Sequence, residues 1–180
     1  MVTKKKLVGG LLGPISLVMM IAGCSSNSYR KTVESVDLQR FMGDWYVIGG
    51  RFTFLEKGAH NAIETYSWNE EEQQIDIAFS FNKDSFDGEK KSIPQTGWVV
   101  DKQTNAYWQV SPFWPLKLDY LIIALDDKDY SWTAVGVPSQ SYLWIMAKDA
   151  KLSDETFQKI VQDIAKTGYD VSNLVKVPHR

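Results

Sequence analysis

Apolar and polar residues alternate with a period of two along most of the chain beyond residue 43. Side chains of a β-strand point alternately to its two faces, so this period predicts strands with one buried face. Polar, turn-rich stretches such as NKDSFDGEKK separate the segments, which favours antiparallel hairpins over helical crossovers. The pattern therefore predicts an all-β fold, an eight-stranded antiparallel up-and-down β-barrel that is just wide enough for one small ligand. The predicted strands are DWYVIGG, NAIETYSW, QIDIAFSF, TGWVV, AYWQVS, DYLIIAL, SWTAVGV and YLWIMAK.

A helical period appears near the C-terminus. Ser153 is a suitable N-cap there, and Gly168 can end the helix. A single apolar stripe needs a surface to cover, so we predict that this C-terminal α-helix packs against the outside of the barrel. The stripe consists of Phe157, Ile160, Val161 and Ile164.

The N-terminal stretch MVTKKKLVGGLLGPISLVMMIAGCSS has the features of an export signal. Three lysines precede an apolar run that is too short and too rich in Gly and Pro to span a bilayer, and small residues lead to Cys24. This ending resembles the lipobox of bacterial lipoproteins, in which the cysteine is lipidated and becomes the first mature residue. The alternative is an ordinary signal peptide followed by an incidental cysteine. We predict a lipoprotein signal peptide over 1–23, a lipidated tether over 24–35 and a folded domain over 36–180.

Removal of the leader changes the charge and the chemistry that remain. The leader holds three lysines and no acidic residue, so the formal net charge would shift from −2 to −5, on 157 residues. A nucleic-acid partner calls for a concentrated basic face, and the acidic balance therefore disfavours one. Cys24 is the only cysteine, so its lipidation would leave no thiol for a disulfide, a metal site or nucleophilic catalysis.

The triplet Gly43-Asp44-Trp45 at the start of the first strand, with one helix after the eighth, resembles the lipocalin family. The stretches YSW, DYLIIALD, YLWIMAK and LSDETFQ agree, and the resemblance covers the whole mature chain. It is closest to the bacterial lipocalins, membrane-anchored lipoproteins related to apolipoprotein D. The resemblance implies a barrel that binds apolar molecules such as fatty acids or lysophospholipids. It also implies a lipid anchor in the outer membrane, with the domain facing the periplasm, and a homodimer as one possible state.

The resemblance further implies a structural motif at the closed end of the barrel. Gly43 and Trp45 would form the floor, with a cationic side chain of the last strand stacked across the indole. Lys148 stands where most members have arginine. A lysine can lie over an indole through cation–π attraction, although it lacks the planar fork of guanidinium. We therefore expect Lys148 to contact Trp45.

Alternation predicts which side chains line the cavity if Trp45 faces inward. The glycine in the first strand would then leave space for a ligand. The position of Glu64 stays open, because the family pattern puts it inside whereas a register slip of one residue would put it in solvent. A carboxylate that points inward needs a partner, which Lys83, Lys90 or Arg51 could supply. The predicted ligand-binding residues are Val47, Gly49, Glu64, Tyr66, Ile77, Phe79, Trp108, Val110, Tyr142 and Trp144.

Catalytic and metal chemistry have little support in the residues. His60 and His179 lie far apart, no acidic cluster has metal-ligand spacing, and no nucleophile elbow or phosphate loop is present. We expect no cofactor, metal or catalytic residue. Three functions stay open: a membrane-tethered carrier of apolar ligands, an enzyme acting on a lipid or isoprenoid inside the barrel, and an envelope protein whose barrel is filled by its own side chains.

Overall fold

Antiparallel strands form the framework of the computed structural model, which describes residues 28–180. The leader and Cys24 lie outside this range, so the signal peptide and the lipidation site stay predictions. None of the helices in the described range is long and apolar enough to cross a membrane. The helices are α1 (Leu38–Phe41) and α2 (Asp154–Lys166), with a 3-10 turn at Phe54–Glu56. The strands are β1 (Gly43–Arg51), β2 (Ala59–Asn69), β3 (Gln74–Lys83), β4 (Lys90–Val99), β5 (Tyr107–Ser111), β6 (Leu118–Leu125), β7 (Trp132–Gly136), β8 (Leu143–Ala147) and β9 (Val175–Lys176).

The strands β1 to β8 pair in sequence order, and β1 pairs with both β2 and β8, which closes an eight-stranded up-and-down barrel. The predicted fold class is therefore confirmed. Strand β9 pairs with Gly49 and Gly50 of β1 beyond the point where β2 diverges. Strand β4 begins at Lys90, well before the predicted TGWVV segment, because the long strand β3 offers it a partner.

Strand β1 contains a bulge that changes which residues face inward. Val47 pairs with Met146, and the next pair joins Gly49 to Ile145, so Ile48 has no partner of its own. A bulge places two residues of one strand opposite one residue of the other and so shifts the alternation beyond it by one position. Side chains before the bulge follow the predicted parity, and those after it have the opposite parity.

The apolar side chains form two cores, one inside the barrel and one between the barrel and α2. Ser153 caps α2 as predicted, accepting a hydrogen bond from the backbone N–H of Thr156. Phe157, Ile160 and Ile164 are the buried residues of α2, and they belong to the outer core. The prediction of one C-terminal helix packed outside the barrel is confirmed.

The segment 29–36 lies along the barrel, so the described part of the predicted tether is docked on the fold, while the tether and domain bounds stay predictions. The backbone N–H groups of Tyr29, Val33 and Val36 donate to the carbonyls of Pro138, Ile122 and Thr104. The Tyr29 side chain is buried, with its ring centroid 4.8 Å from that of Tyr169. Three apolar residues among polar neighbours are enough to dock this segment on the barrel wall.

The two ends of the barrel differ. In an up-and-down barrel alternate loops share an end, so the β1–β2, β3–β4, β5–β6 and β7–β8 loops lie together, at what we call the open end. Helix α1 covers the opposite, closed end. Its Phe41 side chain is fully buried, with ring centroids 5.1 Å from those of Trp45 and of Trp108. Aromatic rings therefore plug the closed end.

The predicted floor contact between Lys148 and Trp45 is present. The Lys148 Nζ atom lies 4.0 Å from the Trp45 ring centroid and donates to the backbone carbonyls of Met42 and Asp44. Gly43 has φ of +91°, in the left-handed region that favours glycine. The tight entry of the chain into β1 thus explains the glycine two residues before the tryptophan.

Candidate functional site

A cavity of about 60 Å³ lies inside the barrel at its open end. The 3-10 turn covers it, and β2 to β6 and β8 supply most of its wall. This volume holds a few water molecules or a small chemical group. The cavity is lined by Thr53, Leu55, Glu56, Glu64, Ile77, Gln95, Val110, Pro112, Leu118, Asp119, Tyr120, Val137 and Trp144.

The floor of this cavity carries a polar cluster of Glu64, Tyr66 and Tyr120. Glu64 pairs with Trp45 of β1 and Phe79 of β3, so it faces inward, as the family pattern predicted. Its side chain is only 7% exposed. The Tyr66 hydroxyl donates to Glu64 Oε2 and is also hydrogen-bonded to the Tyr120 hydroxyl. The two hydroxyl groups thus connect a buried carboxyl group to the facing strand β6.

Burial dominates the acid–base behaviour of this cluster. The pKa of Glu64 is raised to about 7: loss of water raises it most, the Tyr66 hydrogen bond lowers it in part, and the nearby Glu56 carboxylate raises it. Burial also raises the pKa of both Tyr66 and Tyr120 well above its ordinary value. The two phenols therefore stay protonated near neutral pH, whereas Glu64 changes its charge there.

Glu56 fastens the 3-10 turn over the cavity. Its carboxylate accepts hydrogen bonds from the backbone N–H and the hydroxyl of Thr53, which in turn caps the turn. The other Glu56 oxygen accepts a hydrogen bond of 2.9 Å from Trp144 Nε1. This one side-chain contact joins the turn to the barrel wall at β8, so the turn acts as a lid.

Four of the predicted ligand-binding residues line the cavity, namely Glu64, Ile77, Val110 and Trp144. Four others are buried inside the barrel but outside the cavity lining, in the packed core: Val47, Tyr66, Phe79 and Trp108. Tyr142 lies half-buried at the rim, in a shallow depression beside Val137, with its ring centroid 6.0 Å from that of Trp144.

The prediction that Gly49 lines the cavity is wrong. Because of the bulge, Gly49 faces α2, and a Cβ atom there would lie 3.1 Å from the Phe157 ring and from the Val175 carbonyl. A Cβ atom at Gly50 would collide with the carbonyl of Leu143. These glycines allow neighbouring elements to approach β1 closely, rather than leaving room for a ligand.

The predicted cationic partners of Glu64 are also wrong. Arg51 pairs with Asp170 at 3.4 Å, and within residues 28–180 neither Lys83 nor Lys90 forms an ion pair with Glu64. These basic side chains lie on the outside or in the mouth loops, since the strands carrying them end above the polar cluster.

Sequence reasoning missed the other lining residues. Leu118 and Tyr120 share one parity in β6, but DYLIIAL is so uniformly apolar that its alternation gives no clear inward face. The T-x-x-E spacing of Thr53 and Glu56 is a capping-box signal that could have indicated the lid.

Large apolar side chains are exposed around the open end. Phe54 in the lid is 83% exposed, and Trp114 in the β5–β6 loop is 81% exposed, next to exposed Phe113. A groove of about 630 Å³ on the outer faces of β2 to β4 runs beneath this loop. It is larger than the inner cavity but open to solvent, so the enclosed cavity is the better ligand site.

The histidines are separate from the cavity lining. His60, near the start of β2, contacts the Phe86 ring of the β3–β4 loop edge to face, and His179 is hydrogen-bonded to the Val47 carbonyl. In the described part of the chain, no group of three or more His, Cys, Asp or Glu side chains is arranged to hold a metal ion.

Comparisons with known proteins agree with this geometry. The sequence profile of the Lipocalin-like domain matches residues 36–179. The chain is 28% identical to temperature-induced lipocalin-1 of Arabidopsis thaliana over 157 residues, 82% of each chain. It is 28% identical to outer membrane lipoprotein Blc of Escherichia coli strain K12 over 170 residues, 93% of this chain and 94% of that one. The solved structure of insecticyanin from the tobacco hornworm Manduca sexta has a TM-score of 0.62 at 19% identity, covering 83% of this chain and 84% of its own.

Proposed function

The chain belongs to the lipocalin family, and from this membership we propose that it binds an apolar small molecule at the open end of its barrel while tethered to the cell envelope. The observation that carries the proposal is the enclosed cavity under the lid. Its wall combines aliphatic side chains with the rings of Tyr120 and Trp144, and a few polar groups converge at its floor. This combination is typical of sites for small apolar ligands.

The small volume of the cavity limits how the ligand binds. Typical ligand sites measure roughly 300–1,000 Å³, well above the 60 Å³ present here. A ligand therefore places one end in the cavity and displaces the lid, which the Glu56–Trp144 hydrogen bond fastens to β8. Its apolar body then meets the exposed rings of Phe54 and Trp114. Fatty acids and lysophospholipids are candidate classes with such a body.

The first test is the binding of 1-nonanol, a neutral apolar probe, measured by titration calorimetry. Val110→Phe should weaken binding at least tenfold, because the larger ring fills the cavity. Gln109→Phe is the matched control, since Gln109 is the next residue of β5 and lies outside the cavity lining, and it should bind as the parent does.

Three outcomes separate the open functions. Equal binding by Val110→Phe and the parent would show that the ligand binds outside the barrel. A parent protein that binds neither 1-nonanol nor a charged probe of the same chain length would contradict the carrier proposal and support a barrel filled by its own side chains. Turnover of a bound lipid or isoprenoid would support the alternative proposal of an enzyme.

We propose that Cys24 carries the lipid anchor and holds the domain at the outer membrane, facing the periplasm. The lipobox-like sequence supports this, as does similarity to relatives named outer membrane lipoprotein. Acyl chains contribute ~0.8 kcal/mol per buried methylene, so several chains anchor a protein firmly. Homodimer formation stays a prediction.

The anchor is tested on the full-length chain. Cys24→Ala should move the protein from the membrane fraction and abolish the acyl mass, whereas Ser25→Ala, which keeps the cysteine, should stay membrane-bound and acylated. Mass spectrometry that finds an unmodified Cys24 in the membrane-bound protein would contradict the anchoring proposal.

A further inference from the structure

The buried Glu64 carboxyl group lacks a basic partner. Of its two oxygens, Oε2 accepts the Tyr66 hydrogen bond, and no protein donor among residues 28–180 reaches Oε1. This side chain is more than nine-tenths buried and lines the cavity. A buried charge is costly unless an opposite charge or hydrogen-bond donors compensate it. Every fully buried side-chain nitrogen and oxygen among residues 28–180 has a hydrogen-bond partner, so Oε1 is the Glu64 oxygen that is accessible from the cavity.

The charged side chains that line the cavity are all acidic. Glu64 at the floor and Glu56 in the lid are acidic, and within the described chain no lysine or arginine lines the cavity. Asp119 also borders it, but its carboxylate accepts a hydrogen bond of 2.7 Å from Tyr107. Charges interact more strongly in such an enclosed, low-dielectric site than in water. A carboxylate head, such as that of a fatty acid, is repelled there, and a cationic head is attracted.

We propose that this cavity takes the protonated primary amine of an amphipathic ligand, with Glu64 as its counter-ion. The inference rests on the proposed function and names the chemical class of its ligand. A primary ammonium group has three N–H donors, two of which match the free Glu64 oxygen and the Tyr120 hydroxyl oxygen. The rings of Tyr120 and Trp144 line the same space and favour a cation near their faces.

The dimensions fit this assignment. A cavity of about 60 Å³ accepts an ammonium group with its first methylenes, but not an alkyl chain. The amine therefore enters first and the chain leaves through the mouth, past Leu55 of the lid. An apolar chain buried first would instead leave Glu64 unpaired beneath it.

The surroundings of Glu64 also predict a pH dependence. The polar groups that face it are Tyr66, Tyr120 and Glu56, while Trp45 and Phe79 on the neighbouring strands carry no charge. Glu56 and Asp119 are the other acidic side chains that line the cavity. With the pKa of Glu64 raised to about 7, its ionised fraction rises between pH 6 and pH 8. Affinity for an amine should rise with it, up to roughly tenfold.

The experiment compares three probes with the same nine-carbon chain: nonylamine, 1-nonanol and nonanoate. Calorimetry at pH 8 should give nonylamine an affinity at least tenfold higher than that of either other probe. Glu64→Gln should bring the amine-to-alcohol affinity ratio close to one and remove its pH dependence. Glu71→Gln is the charge-matched control, because Glu71 is exposed in the β2–β3 turn at the closed end, and it should keep the parental ratio. Near-UV circular dichroism checks that each variant is folded.

The outcomes separate this inference from the proposed function. If the parent binds nonanol and nonylamine equally, the amine assignment is wrong although an apolar ligand still binds. The amine assignment is also wrong if Glu64→Gln, shown to be folded by circular dichroism, still prefers the amine over the alcohol. If the parent binds none of the three probes, the proposed function itself fails.

Discussion

Trp45→Ala is expected to lower the free energy of unfolding by about 3–5 kcal/mol, the range for removal of a large buried aromatic side chain. Trp45 is fully buried, and its ring packs on Phe41. Its Nε1 atom donates a 2.7 Å hydrogen bond to the Phe41 carbonyl, which the truncation removes. Alanine would leave a void under α1 that no neighbouring element can fill. Urea unfolding followed by circular dichroism measures the change.

Lys148→Arg is the matched control for the floor of the barrel. An arginine can stack its planar guanidinium on Trp45 and donate to the same carbonyls of Met42 and Asp44, so its free energy of unfolding should equal or exceed that of the parent. If Trp45→Ala costs less than 1 kcal/mol, the aromatic plug does not hold the closed end together.

Gly49→Leu should lower the free energy of unfolding by about 1–3 kcal/mol, because it overpacks the contact between β1 and α2. The new side chain would meet the Phe157 ring and the Val175 carbonyl, each already 3.1 Å from the Cβ position. If Gly49 faced the ligand cavity, the same substitution would leave stability nearly unchanged and weaken binding. Chemical unfolding together with nonanol titration therefore distinguishes the two orientations.

A double-mutant cycle identifies the contact directly. Phe157→Ala vacates the space in front of Gly49, so leucine at position 49 should cost much less in that background than in the parent. Residues in contact couple in such cycles, whereas distant residues give additive effects. Additive costs would show that leucine at position 49 does not meet Phe157.

The period-two alternation of apolar and polar residues was sufficient to predict the strands, but it could not predict the bulge in β1. Trp45 and Val47 follow the alternation and face the interior. At Ile48 one unpaired residue reverses the parity, and its cause is the pairing with β8, which is distant in sequence. Alternation therefore predicts the inward-facing side chains of a strand only where no bulge interrupts its pairing. Glu64 lies in such an uninterrupted ladder, opposite Trp45, and of the two orientations left open it has the inward one, which the family pattern implied.

The cavity was harder to predict because loops and pairing partners build much of it. Trp144 and Val110 were found from their strands, whereas the lid residue Glu56 comes from a loop that no period describes. The docking of the segment after residue 28 was missed for a related reason. In SYRKTVESV polar residues dominate the composition, yet Tyr29 and Val36 are buried against the barrel.

The docking of Tyr29 has a consequence for how the domain would sit at a bilayer. Its backbone bond to Pro138 holds the start of the folded chain at the β7–β8 loop, on the rim of the mouth. Cys24 precedes Tyr29 by five residues, a reach of about 18 Å at full extension. With acyl chains on Cys24, the mouth stays within that distance of the lipid headgroups, and Trp114 and Phe54 project on the same side. A ligand released there would return to the bilayer after a very short passage through water.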